Sequence, residues 1–179
     1  MRVISGEYGS RRLITLTKLE TRPTLDHVKE GIFNHLGSMK DKCFLDLFCG
    51  CGSIGIEAIS RQAKLVVFND KSHRAINCLK NNLTNLEIDS NKYRVYSHSY
   101  LDTLAILSDR FDFIYLDPPF TRDYILPCLK YINDNQLLLF DGKIIVESEA
   151  DEQLENDWFE IYKVANYGRI KITYMAYHH

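Results

Sequence analysis

From residue 43 onward, short apolar runs rich in β-branched and aromatic residues alternate with longer stretches of helical periodicity, and this pattern constrains the fold more than any other feature. Cys43-Phe-Leu-Asp-Leu-Phe48 reads as a buried strand, Ser53 to Arg61 as a helix, Lys64 to Asn69 as a strand and Ser72 to Leu86 as a helix. Tyr93 to Tyr96, Leu101 to Ser108, Phe111 to Leu116, Tyr124 to Ile132 and Gly142 to Glu147 continue as strand, helix, strand, helix and strand. Strands that take turns with helices need right-handed crossovers, so the spacing predicts a mostly parallel α/β sheet with helices on both faces. Trp158 to Ala165 and Arg169 to Ala176 read as two more strands joined near Asn166-Tyr-Gly168, a hairpin that would close one sheet edge in antiparallel fashion.

Ahead of this core, Arg2-Val-Ile-Ser-Gly6 and Arg11-Arg-Leu-Ile-Thr-Leu16 are β-prone runs around the turn-forming Glu7-Tyr-Gly-Ser10, which predicts a hairpin or a loose extended arm. Thr24 to Leu36 places Leu25, Val28, Ile32 and Leu36 on one face, as an amphipathic helix would. At 179 residues and 45% hydrophobic, the chain suits one well-buried domain, with the arm and helix over 1–40 and the core over 41–179. No run approaches the roughly 18 apolar residues of a membrane span, and the apolar part of Met1-Arg-Val-Ile-Ser-Gly is short for a secretory signal, so a cytoplasmic protein is expected. The five cysteines are odd in number, and Cys49-x-Cys51 lacks a second pair to complete a tetrahedral metal site. They are expected to be reduced and mostly buried, with no metal bound.

Two motifs carry chemistry. Gly50-Cys-Gly52-Ser-Ile-Gly55 follows a strand and opens a helix, the setting in which such a loop lets the backbone approach a ligand at a helix N-terminus. Asp70 follows Gly50 by 20 residues, at the end of the next strand, where a ribose-binding acid belongs. Asp117-Pro118-Pro119-Phe120 ends another strand with bare carbonyls, a carboxylate and a flat ring, an acceptor-only cradle for an exocyclic amine on a planar base. Ligands of open α/β sheets bind beyond the carboxyl ends of the strands, so Asp46 to Gly52, Phe68 to Asp70, Ser97 to Tyr100 and Asp117 to Phe120 should meet in one crevice. A nicotinamide enzyme would use the glycine loop and Asp70 but gives no reason for the cradle, whereas S-adenosylmethionine accounts for both.

Net charge is −2, unevenly spread. Residues 1–22 hold Arg2, Arg11, Arg12, Lys18 and Arg22 against Glu7 and Glu20, while residues 134–160 hold nine acids against Lys143. The N-terminal end could meet phosphate and the acidic end would repel it; two solvated faces are the plainer alternative.

Arg22-Pro-Thr24-Leu-Asp26-His-Val28-Lys-Glu30-Gly-Ile-Phe33-Asn34, Phe44 to Arg61, Asp117-Pro-Pro-Phe120 and Val146-Glu-Ser-Glu149 together resemble the RsmD family, and the likeness spans nearly the whole chain. These are bacterial methyltransferases that act on the N2 amine of a guanine in 16S ribosomal RNA. The resemblance implies a Rossmann-like class I methyltransferase sheet, S-adenosylmethionine as cofactor, and 16S RNA or the small ribosomal subunit as partner of a monomeric enzyme. Asp46, Phe48, Gly50 and Gly52 would line the methionine end, with Arg22 and Thr24 near the mouth. Asn69 or Asp70 would hold the ribose, since Phe68 stands where relatives place an acid. Ser99 and Tyr100 would lie near the adenine. Asp117, Pro118, Pro119 and Phe120 would hold the target amine, with Arg2, Arg11, Arg12, Lys18, Arg22 and Tyr124 on the substrate. An N6-adenine methyltransferase is the enzymatic alternative, because the cradle grips any exocyclic amine; a non-catalytic RNA-binding module is a distant one.

Overall fold

The structure is a computed structural model that describes residues 1–16, 26–119 and 124–178. Its elements run α1 (Asp26–Leu36), β1 (Cys43–Asp46), α2 (Ser53–Ser60), β2 (Leu65–Asn69), α3 (His73–Asn85), β3 (Tyr93–Tyr96), α4 (Tyr100–Ile106), β4 (Phe111–Leu116), α5 (Ile125–Asp134), β5 (Leu138–Glu149), β6 (Glu160–Tyr167) and β7 (Ile170–Ala176). The seven strands form one sheet in the order β3-β2-β1-β4-β5-β7-β6. The pairs from β3 through β5 are parallel, while β7 lies antiparallel between β5 and β6. The alternation predicted this sheet and its antiparallel edge.

Consecutive strand residues point to opposite faces, and here both faces are covered. Phe44, Val66, Phe113 and Ile145 join the core cluster that contains residues of α1, α2 and α3, whereas Leu45, Val67, Ile114 and Val146 join the cluster that contains residues of α4 and α5. This double burial is why the strands read as nearly continuous apolar runs.

Of the boundaries that moved, two have clear local reasons. β5 begins at Leu138, before the predicted start at Gly142, because Leu138 already pairs with Phe111 and a register shift then brings Lys143 opposite Phe113. β6 begins at Glu160 and not at Trp158, since the Asn156 side chain accepts from the backbone of Trp158 (3.0 Å) and Phe159 (2.7 Å) and holds them in a turn.

The N-terminal segment is a short, irregular hairpin and not a loose arm: Val3 N donates to Arg11 O (2.9 Å), Ser10 N to Val3 O (2.9 Å) and Leu13 N to Met1 O (3.1 Å). Its only bridge links Arg2 to Arg12 among the described residues, yet Val3 and Leu13 are buried. Side chains of the helices beneath it satisfy further backbone groups. The fully buried Glu57 carboxylate accepts from Ile4 N (2.7 Å), Ser5 N (3.0 Å) and Arg61 Nε (2.8 Å). Lys29, equally buried, donates to the Arg2 carbonyl (2.5 Å) and Ser53 Oγ (3.0 Å) beside Glu57, and burial pulls its pKa below the usual lysine value. Asn82 accepts from Ile14 N (2.7 Å) and donates to Ile14 O (2.9 Å). Gly6 passes so close to α2 that a Cβ would come within 1.9 Å of the Ser60 carbonyl oxygen.

Candidate active site

The sheet order reverses between β1 and β4, because β2 and β3 extend from one side of that pair and β5 from the other. Loops leaving the carboxyl ends of β1 and β4 therefore diverge and leave a crevice between them. A cavity of about 620 Å³ occupies this position. Asp46, Asp70, Ser99, Asp117 and Glu147 line it from the ends of all five parallel strands. Met1, Thr15 and Leu16 bring the N-terminal segment to its rim.

At the β1 end, the chain turns through Gly50 at φ 52° and Gly52 at φ 85°, left-handed backbone that favours glycine. Among the described residues nothing lies within 4 Å of where a Gly50 Cβ would be, so the loop offers bare backbone to the cavity; a Cβ on Gly52 would meet Leu79 at 2.3 Å. The loop feeds α2, whose Gly55 N–H donates to Asp46 Oδ2 at 3.0 Å. Asp46 is buried, and its Oδ1 has no hydrogen-bond partner among the described residues. Burial, with Asp70 nearby, raises its carboxyl from 3.8 to about 7 against the opposing pull of Gly55. A buried acceptor beside a ligand-sized cavity calls for a donor, best a cationic one, from whatever enters.

Asp70 accepts from Gly50 N (2.9 Å) and Ser72 N (2.8 Å), which ties the glycine loop to the start of α3 while leaving the carboxylate on the cavity wall. Asn69 also lines the cavity, but its amide donates to Leu47 O (3.2 Å) and accepts from Thr103 Oγ1 (2.7 Å) and His98 N (3.3 Å). Phe68 is fully buried against Gly55, so an acid there would enter the core and not meet a ribose. Ser99 caps α4, accepting from Asp102 N (3.2 Å) and donating to Asp102 Oδ2 (2.7 Å).

Across the cavity, Asp117 and Pro118 follow β4, with Pro118 buried and Pro119 exposed. Tyr115, 2% exposed, donates its hydroxyl hydrogen to Glu147 Oε2, and both residues line the cavity. Nothing in the local sequence around either residue announced them; only the β4–β5 register joins them. Phe48, Tyr100 and Tyr124 form an aromatic cluster with centroid separations of 5.7, 6.1 and 5.3 Å, and Lys71 Nζ stands 5.8 Å from the Tyr124 ring centroid. Lys18, Arg22, Thr24 and Phe120 lie outside the described residues. Arg2, Arg11 and Arg12 are exposed; Arg2 pairs with Asp26 (3.4 Å) and Arg11 donates to Asn85 O (3.1 Å). All five cysteines are free, and four are buried.

Residues 1–176 match the family model described as Conserved hypothetical protein 95. The chain belongs to this family, the RsmD family. Ribosomal RNA small subunit methyltransferase D of Haemophilus influenzae is 38% identical over 158 residues, covering 86% of this chain and 81% of its own. The protein of the same name from Escherichia coli K12 is 31% identical over 155 residues, covering 86% of this chain and 77% of its own. The solved structure of yhhF from Escherichia coli superposes with a TM-score of 0.87 at 28% identity, over 99% of this chain and 98% of that one. Membership in the RsmD family thus extends across the arm, the sheet and its antiparallel edge. Among the described residues no helix is long and apolar enough to cross a membrane.

Proposed function

We infer that the protein is an S-adenosylmethionine-dependent methyltransferase of ribosomal RNA, and that its acceptor is the exocyclic N2 amine of a guanine in the 16S RNA of the small subunit. The observation that carries this reading is the meeting, in one cavity, of the glycine loop with its unpartnered Asp46 Oδ1 and the Asp117-Pro118-Pro119 cradle. The volume suits a ligand of nucleoside size. Asp46 Oδ1 faces the place where the methionine ammonium would supply its missing donor, Gly50 offers open backbone, and Asp70 is the acid available for ribose hydroxyls. Of the two candidates for the ribose, Asp70 fits better, because Asn69 is occupied by β1 and α4.

Bound S-adenosylmethionine supplies an electrophilic methyl on a sulfonium. An aromatic amine is a poor nucleophile because its lone pair is delocalised into the ring. Asp117 and the Pro118 carbonyl accept its two N–H bonds, favour a pyramidal nitrogen and aim the lone pair across the cavity, and Asp117 is placed to take the proton the nitrogen sheds. The aromatic cluster of Phe48, Tyr100 and Tyr124 gives planar rings a stacking surface. The base must leave its stack to enter, at about a few kcal/mol, which favours an RNA loop over a duplex.

The exposed Arg2, Arg11 and Arg12 flank the same N-terminal segment that reaches the cavity rim, and they are proposed to meet RNA phosphates. The buried ties from Glu57 and Lys29 fasten the N-terminal segment to the core and support treating the chain as one domain, proposed to work as a monomer in the cytoplasm. Incubating the purified protein and methyl-labelled cofactor with small ribosomal subunits that lack the modification tests the reading. Label should appear in the 16S RNA at one position after nuclease digestion; label absent from RNA would refute it.

A further inference from the structure

The Asp117-Pro118 cradle grips an exocyclic amine without identifying the base that carries it. Guanine, adenine and cytosine all present such an amine, but the ring position beside it differs. In guanine N1 carries a hydrogen and donates; in adenine N1 and in cytosine N3 hold a lone pair and accept. A site that reads this neighbouring position needs a fixed acceptor next to Asp117.

Glu147 is that acceptor. β4 and β5 run parallel with Leu116 opposite Val146, so Asp117, the first residue after β4, comes level with Glu147, which stays in β5 opposite Ile172 of β7, and both line the cavity. Glu147 is 7% exposed. On its strand Ile145, and across from it Ile172, belong to the apolar core, so the carboxylate interrupts an apolar face where that face reaches the cavity. Burying a carboxylate is costly unless partners satisfy it. The Tyr115 hydroxyl donates to Oε2, which orients the carboxylate.

We propose that Glu147, oriented by Tyr115, accepts a hydrogen bond from N1–H of the target guanine and so selects guanine over adenine and cytosine. The proposal rests on reading the cavity as the site of guanine N2 methylation. An adenine or cytosine turned into the same cradle would set a ring lone pair against the carboxylate, and a site built around a hydrogen bond discriminates strongly when that bond cannot form.

The test uses small-subunit RNA in which the methylated guanine, once located, is replaced by 2-aminopurine. This base keeps the exocyclic 2-amine but presents N1 as an acceptor. With the wild-type protein, kcat/KM should fall by about 100-fold or more relative to guanine RNA, as expected for a lost buried hydrogen bond. Glu147→Gln, whose amide can donate to that N1, should bring the two RNAs to within about tenfold of each other, the residue of a partly restored hydrogen bond. Tyr115→Phe keeps the carboxylate but releases its orientation, and should give an intermediate ratio. Equal turnover of both RNAs by the wild type would overturn the proposal, as would a wild-type ratio in Glu147→Gln, which would trace the selectivity to the missing O6. If Glu147→Gln does not fold, the wild-type ratio and Tyr115→Phe decide. Failure of the functional reading is distinguishable, because the unmodified guanine RNA would then receive no methyl on N2.

Discussion

The two ends of the cavity are built in opposite ways. At the β1–β2 end, Asp46, Gly50, Gly52 and Asp70 come from one stretch of chain and act through backbone donors, a bare glycine surface and carboxylates tied to the loop they brace. At the β4–β5 end, Tyr115 bonds Glu147 from another strand and Asp117 lines the same cavity, and only the parallel register brings them together. The electrostatics differ too. Asp46 is held at one oxygen and waits for a donor at the other, whereas Glu147 already holds a tyrosine hydroxyl. On the proposed reading the difference separates two tasks: a contiguous loop would hold a cofactor common to many reactions, and a junction of distant strands would choose the acceptor. Substitutions at one end should leave the other working.

The largest effect is expected at Asp117. Asp117→Ala should lower the rate of methyl transfer by about 100- to 1000-fold, by analogy with the loss of one stabilising hydrogen-bonding group. Calorimetry should find cofactor affinity within about tenfold of wild type, since the lost acceptor belongs to the base. Transfer near the wild-type rate would merge the two ends and remove Asp117 from the mechanism.

Asp46→Asn acts at the other end. Removing the charge opposite a cationic donor should weaken cofactor binding by about 1.5–3 kcal/mol. The pH dependence sharpens the assignment. Burial raises the folded carboxyl from 3.8 to about 7, so the apo protein gains stability as pH falls from about 7 and carries the cost of the ionised group above it. A cation favours the ionised form, so wild-type affinity should rise with pH up to about 7 and level off beyond it. Asp46→Asn should flatten that profile and, by thermal denaturation at pH 8, make the apo protein more stable. An unchanged profile would place the cation elsewhere.

Asp70→Ala should weaken cofactor binding by about 1–3 kcal/mol, the range for a hydrogen bond to a charged group. Unchanged binding would return the ribose to Asn69 or to backbone groups. The smallest effect is expected outside the cavity. Arg11→Ala with Arg12→Ala should reduce the slope of log affinity for the small subunit against log salt by about one to two, as loss of phosphate contacts requires, with cofactor affinity unmoved. A wild-type slope would mean that these residues solvate the N-terminal segment.

The sheet and the β1–β2 end were legible in the sequence because their signals are local. Period and apolar runs mark the strands, and the glycine spacing with Asp46 and Asp70 falls within 25 residues. The Asp117 motif was legible for the same reason. Glu147 and Tyr115 were not, since a glutamate within Ile-Ile-Val-Glu-Ser-Glu and a tyrosine inside an apolar run look like ordinary strand residues until β4 and β5 are in register. The N-terminal hairpin was legible from its β-prone runs and turn, but its docking was not, because its partners Glu57, Ser60 and Asn82 lie on helices 50 to 70 residues away. Phe68 read as a missing ribose contact by position alone, whereas its burial against Gly55 makes it part of the core.

The cradle after β4 is proposed to present a guanine amine to the cofactor end. The most direct test is mass spectrometry of the nucleoside that carries the transferred methyl, released from small-subunit RNA after a single turnover. The account predicts N2-methylguanosine. N6-methyladenosine, or any product with the methyl on a ring nitrogen, would contradict it.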